Sequence, residues 1–115
     1  MQYLLLIYGA ESQFNTLSSA EIAGIVEEYG EFTKSIIASG NYKGGNRLHD
    51  VAKATTVRIR DSKKLVTDGP FAETKEQLGG YYLIEAADLD EATAIAARIP
   101  GARDGSIEVR PIFAM

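Results

Sequence analysis

Tyr3-Leu4-Leu5-Leu6-Ile7-Tyr8, closed by Gly9, is an unbroken apolar and aromatic run with no charged residue to mark a solvent face. Successive side chains of a strand point to opposite faces, so residues 2 to 8 read as a strand buried on both. Tyr81-Tyr82-Leu83-Ile84 has the same character, and the two runs predict central strands of one sheet.

The segments around these runs supply the rest of the fold. Ser18 and Glu21 form a capping-box pattern, in which each side chain can bond the other's backbone amide. Behind it Ile22, Ile25, Val26, Tyr29, Phe32, Ile36 and Ile37 recur at helical spacing up to Gly40, which predicts a helix over 19–39. Gly24 and Gly30 weaken that helix, which calls for a packing reason at each.

Residues 54 to 60 alternate, with Val57 and Ile59 on one face and Thr56, Arg58 and Arg60 on the other, as in a half-buried strand. Asp61-Ser62-Lys63-Lys64 predicts a hairpin connection into Leu65-Val66-Thr67, ended by Asp68-Gly69-Pro70. Residues 73–78 predict one helical turn.

A second capping box, Asp88 with Glu91, opens a helix whose stripe is Leu89, Ala92, Ile95, Ala96 and Ile99, and Pro100-Gly101 stops it. Residues 106–110 alternate as a last strand, and Pro111 points to an edge position or the strand end. The order is that of a ferredoxin-like βαββαβ fold, an α+β class with an antiparallel sheet and an inserted hairpin. Two helices cover one face of such a sheet. Runs that are apolar on both faces need a second cover, and a second copy of the chain, forming a homodimer sheet to sheet, is the simplest.

At 115 residues the chain is one domain, 1–115, and 45% apolar with 24% charged residues is a globular balance. With no cysteine and one histidine, neither a disulfide nor a multi-histidine zinc site can form within the chain, so no metal and no cofactor is expected. A net charge of −4 argues against nucleic acid as a partner. No apolar run is long enough for a membrane span and no leader precedes the first strand, which predicts a cytoplasmic protein.

The stretch Leu65-Val66-Thr67-Asp68-Gly69-Pro70-Phe71-Ala72-Glu73-Thr74-Lys75-Glu76-Gln77-Leu78-Gly79-Gly80-Tyr81-Tyr82-Leu83-Ile84-Glu85 resembles the signature of the DGPF branch of the YCII-related proteins, named for the tetrad at 68–71. The likeness extends to Tyr3–Gly9, to Ala54-Thr55-Thr56-Val57-Arg58 and to Gly105-Ser106-Ile107-Glu108-Val109-Arg110-Pro111. It implies a dimeric α+β barrel. Typical YCII-related members carry a His in the first helix and an Asp after a later strand. Asp68 matches that Asp, whereas Tyr29 stands at the helix position, and tyrosine is no near-neutral base without a strong pKa shift. The resemblance also implies a functional link to an extracytoplasmic-function sigma factor.

Each candidate residue has two readings. Asp68 is either a turn residue bonding its own backbone or a catalytic carboxylate at the barrel mouth. His49, in Leu48-His49-Asp50, is a solvated loop histidine or, facing the cleft, a catalytic group oriented by Asp50 or Asp68. Tyr29 packs in the core with a bonded hydroxyl or polarises a substrate oxygen. Arg58 binds an anionic substrate or meets a carboxylate at the dimer seam. Glu73 and Lys75 are substrate-binding candidates or, with Thr74, part of a solvated capping turn. Gly44-Gly45 lacks the spacing and following helix of a phosphate loop. Two functions follow: a small cofactor-independent enzyme performing acid–base chemistry on a small polar or anionic molecule, or a non-catalytic ligand-binding or regulatory module beside a sigma factor.

Overall fold

The first apolar run is the middle of the fold. In the computed structural model, which describes residues 1–114, β1 (Gln2–Gly9) is flanked on one side by β5 (Gln77–Glu85) and on the other by β6 (Ser106–Pro111). β2 (Tyr42–Arg47) pairs outside β5, giving an antiparallel sheet of order β2-β5-β1-β6. The elements α1 (Glu11–Phe14), α2 (Ser19–Ala38) and α3 (Leu89–Ala96) complete a ferredoxin-like α+β fold. β3 (Thr55–Arg60) and β4 (Lys63–Asp68) form a separate hairpin inserted between the second and third strands of the sheet.

Register explains how the apolar runs divide. Tyr3 pairs with Ile84 and Leu5 with Tyr82, and these side chains meet α2 and α3. Leu5, Ile84, Ile36 and Ile99 are wholly buried there, with Phe32, Ala92, Ile95 and Ala96 around them. The Tyr82 ring meets Phe32 edge-on at 5.2 Å between centroids. Leu4 pairs with Leu83 and Leu6 with Tyr81 on the opposite face, which no helix covers, and all four stay half-buried.

The first capping box forms in full, Ser18 Oγ accepting from the Glu21 amide at 3.1 Å and Glu21 accepting from the Ser18 amide at 3.0 Å. Only half of the second forms. Asp88 caps the Glu91 amide at 2.9 Å, but the Glu91 carboxylate is taken by the Asn41 side-chain amide at 3.0 Å instead of the Asp88 amide.

Four expectations need correction. The strand read at 54–60 does not join the sheet; the place beside β5 belongs to Tyr42–Arg47, whose paired glycines hid it. A side chain at Gly45 would come within 2.9 Å of the Tyr82 ring, so the glycine is what lets these strands pair with the aromatic ring laid over them. The strand at 54–60 is not half-buried on its apolar side either, since Val57 and Ile59 are 58% and 60% exposed. Residues 73–78 make no helical turn. Gln77 begins β5, and its side chain bonds the Thr74 carbonyl and the Glu11 amide, which ties the segment down as a loop. Gly24 and Gly30 both face open space, and nothing in the structure explains them.

Candidate functional site

Only the C-terminal half of α2 is seated on the sheet, where Phe32 and Ile36 are buried. Beneath the N-terminal half the sheet offers Gly45 and Gly80 on its helix-facing side, with Gly9 and Gly79 beside them, so no side chains fill the space. The result is a cleft of about 730 Å³. Its walls are Ile25, Tyr29 and Thr33 of α2, Phe14 and Leu17 around α1, Arg47 and Leu48 at the end of β2, and Gly101, Arg103, Asp104 and Gly105. A volume of this size suits a small molecule, and apolar walls with a few convergent polar groups are the usual makeup of such sites.

Tyr29 is the polar group best placed by its neighbours. Its hydroxyl accepts from the Gly101 amide at 3.1 Å and donates to no acceptor among the described residues. Burial pushes it above the ordinary tyrosine range; the Gly101 bond, and Arg103 and Arg47 acting through space, pull the other way without prevailing. Tyr82 is likewise raised by burial, against the Thr33 hydroxyl that lies 2.7 Å from its own. At neutral pH both are therefore hydrogen-bond donors and neither is a base.

Two cations border Tyr29. Arg103 is paired with Glu28 at 2.6 Å. Arg47 lies over the Phe14 ring at 5.4 Å and has no carboxylate within ion-pair distance among the described residues. Of the carboxylates in the cleft wall, Glu11 is occupied by the Val51 amide at 3.0 Å, while Asp50 and Asp104 are exposed.

The YCII-related domain family matches residues 1–115 of this sequence. The chain belongs to the YCII-related family. It is also 38% identical over 114 residues to an uncharacterized protein of Rhizobium meliloti (strain 1021), a match covering 97% of this chain and 92% of the relative. The fold puts Tyr29 in the cleft wall. The structure brings none of the other sequence candidates to it within one chain. Asp68 is exposed at the end of β4 and its carboxylate accepts no hydrogen bond among the described residues, so neither of its expected roles is visible in a single chain. His49 is exposed between two residues that do line the cleft, Leu48 and Asp50.

Arg58 donates to the Phe71 carbonyl at 3.4 Å, which straps the loop that follows the Asp68-Gly69-Pro70 turn. Glu73 and Lys75 are exposed in that loop, where Thr74 bonds the Glu76 carbonyl at 2.5 Å. Sequence reading missed Arg47, Thr33 and Tyr82. The available signal was the glycine pair at 44–45 taken together with the pair at 79–80: two small-residue sites on neighbouring strands leave a hollow when a helix crosses above them.

Tyrosinate absorbance during alkaline titration checks this electrostatic picture. Tyr29 and Tyr82 should ionise above the ordinary tyrosine range, and Tyr29→Phe should remove part of the late step. Above about pH 10 the unfolded chain has lost protons that the folded chain still holds, so these two residues make stability fall as pH rises. A Tyr29→Phe curve with its late step intact would contradict the assignment.

Proposed function

We propose that this YCII-related protein, a member of the DGPF branch, binds a small anionic molecule in the cleft under α2 and works on it by acid–base chemistry without a metal or organic cofactor. The observation that carries the reading is the Tyr29 hydroxyl. It is held by the Gly101 amide, keeps its own proton for a ligand oxygen, and stands in a field of Arg47 and Arg103. Hydrogen bonds from preorganised donors to a charged oxygen are about twice as strong as neutral ones, and a half-buried site strengthens them further. Arg47 supplies the counter-charge, since its guanidinium is steadied on Phe14 and pairs with no carboxylate among the described residues.

In this reading Tyr29 binds and polarises while a carboxylate moves the proton. Asp68 keeps that role only if a second chain delivers it, because its own chain holds it outside the cleft. The functional unit is therefore proposed as a homodimer. The second reading, a non-catalytic ligand-binding module beside a sigma factor, is favoured by one observation: the ionisable group inside the cleft with the firmest placement, Tyr29, is shifted away from neutral pH.

Calorimetric titration with a panel of small carboxylates and phosphate esters tests the proposal. A binder from the panel should lose about 10- to 100-fold in affinity on Tyr29→Phe or Arg47→Ala, the range of one charge-assisted hydrogen bond. Asp68→Asn should leave affinity near wild type in both readings and abolish turnover in the enzyme reading, whereas the module reading expects no turnover in either protein. Ligands that bind equally well to the Tyr29 and Arg47 variants would sink the cleft assignment.

A further inference from the structure

The β3–β4 hairpin has nowhere to bury its apolar residues in its own chain. Its strands pair with each other through Val57 to Val66 and Arg58 to Leu65, and no other strand or helix packs extensively on them. Asp61 and Ser62 both take positive φ, 52° and 62°, making the tight two-residue turn whose twist suits a hairpin. Yet Val57, Ile59, Leu65 and Val66 are between 47% and 60% exposed, and an isolated two-stranded hairpin is marginal in water. The open face of the sheet has the matching deficit in Leu4, Leu6 and Leu83.

The whole-molecule dimensions give the size of what is uncovered. The radius of gyration is 16.1 Å, against about 13 Å for a compact chain of this length. Accessible surface is 8064 Å², roughly 1,900 Å² more than the ~6,200 Å² expected of a folded monomer of 12.5 kDa. An excess near 1,900 Å² on each chain falls in the range of permanent homodimers, which bury about 2,000–5,000 Å² over both partners. Charge points the same way. The hairpin carries Arg58, Arg60, Lys63 and Lys64 against Asp61 and Asp68, a surplus of +2; with −4 for the whole chain, −4 less +2 leaves −6 on the rest. Arg58, Arg60 and Lys63 lie on the Leu65 face, and the Val57–Ile59–Val66 face carries only Lys64 and Asp68. The attraction of a basic arm to an acidic body therefore acts on encounter rather than at the contact itself.

We infer that the β3–β4 hairpin is an exchanged arm that packs its Val57–Ile59–Val66 side across the open sheet face of a second copy of this chain. The inference rests on the homodimer in the proposed function and names the element that makes it. Two-fold pairing satisfies arm and open face together in both copies, since each contributes one of each. The arm also carries Asp68 off its own body and onto the partner's, which is the route by which that carboxylate leaves its own chain's exposed surface.

Light scattering with hydrogen exchange tests this on the unmodified chain and on Val57→Asp/Val66→Asp. The wild type should be a dimer, and the double variant should dimerise about 100-fold or more weakly, as loss of central interface contacts does. Amides of β3 and β4 should be protected in the wild-type dimer and lose protection on dilution to monomer, a readout that stands even if the variant fails to fold. A wild-type chain that stays monomeric overturns both the arm and the homodimer. A wild-type dimer whose hairpin amides exchange freely, or a folded variant that dimerises as well as wild type, overturns the arm alone.

Discussion

Replacing Leu5 by alanine should lower the unfolding free energy by about 2–5 kcal/mol, at the upper part of that range because the site cannot collapse. Leu5 is wholly buried in the central strand, opposite Tyr82 on one neighbour and Val109 on the other. Backbone pairing on both sides holds β1 in place, so the missing atoms leave a void that the strands cannot move to fill. Against a total stability of about 5–15 kcal/mol for a domain, this is a large fraction. The comparison that gives the result meaning is Leu65→Ala, where the side chain is 47% exposed on the hairpin. In dilute, monomeric protein that change should stay within about 0.5 kcal/mol. Denaturant unfolding at one low concentration decides the matter, and equal losses for Leu5 and Leu65 would mean that the hairpin is folded onto its own core.

The same contrast explains what could be read from sequence. Strands β1, β5 and β6 and helices α2 and α3 were legible because their apolar residues are consistent with the period of each element, and because Ser18 with Glu21 and Asp88 announced the helix starts. β2 was not, since Tyr42-Lys43-Gly44-Gly45-Asn46-Arg47 has neither alternation nor strand propensity, and its place is set by Tyr82 across the pair. A connection from Gly40 to residue 54 is longer than most loops in a small domain, and that length was the usable hint of a hidden strand. The hairpin was legible as a hairpin but not as one with an exposed apolar side: alternation at 55–60 separates an apolar face from a polar one without saying what, if anything, lies against it. Tyr29 was legible as a helix-stripe residue, whereas its link to Gly101, 72 residues on, follows only from the packing of the Pro100–Ala102 turn against α2.

That link supports the second large effect. Gly101→Ala should both destabilise the protein and empty the cleft of its best donor. The added methyl would sit 2.7 Å from the Tyr29 hydroxyl oxygen, closer than such a contact tolerates, and 3.2 Å from Cγ2 of Ile7, a tight contact that asks for a small shift. The shorter of the two contacts is to the hydroxyl at the end of the tyrosine ring, so the ring swings away, breaking the 3.1 Å bond from the Gly101 amide. Overpacking of this kind costs about 1–3 kcal/mol, and the unmet polar groups add to it. Affinity for an anionic cleft ligand should fall at least as far as in Tyr29→Phe, because the hydroxyl is displaced and its ring intrudes on the space. The double variant Gly101→Ala/Tyr29→Phe separates strain from chemistry. Removing the oxygen removes the closest clash, so the double variant should be more stable than Gly101→Ala alone, a strong departure from additivity between contacting residues. Ligand affinity should nevertheless not recover, since the donor is gone. Additive stability losses would show that the methyl is accommodated elsewhere, and recovery of affinity in the double variant would mean that Tyr29 gives the ligand no hydrogen bond.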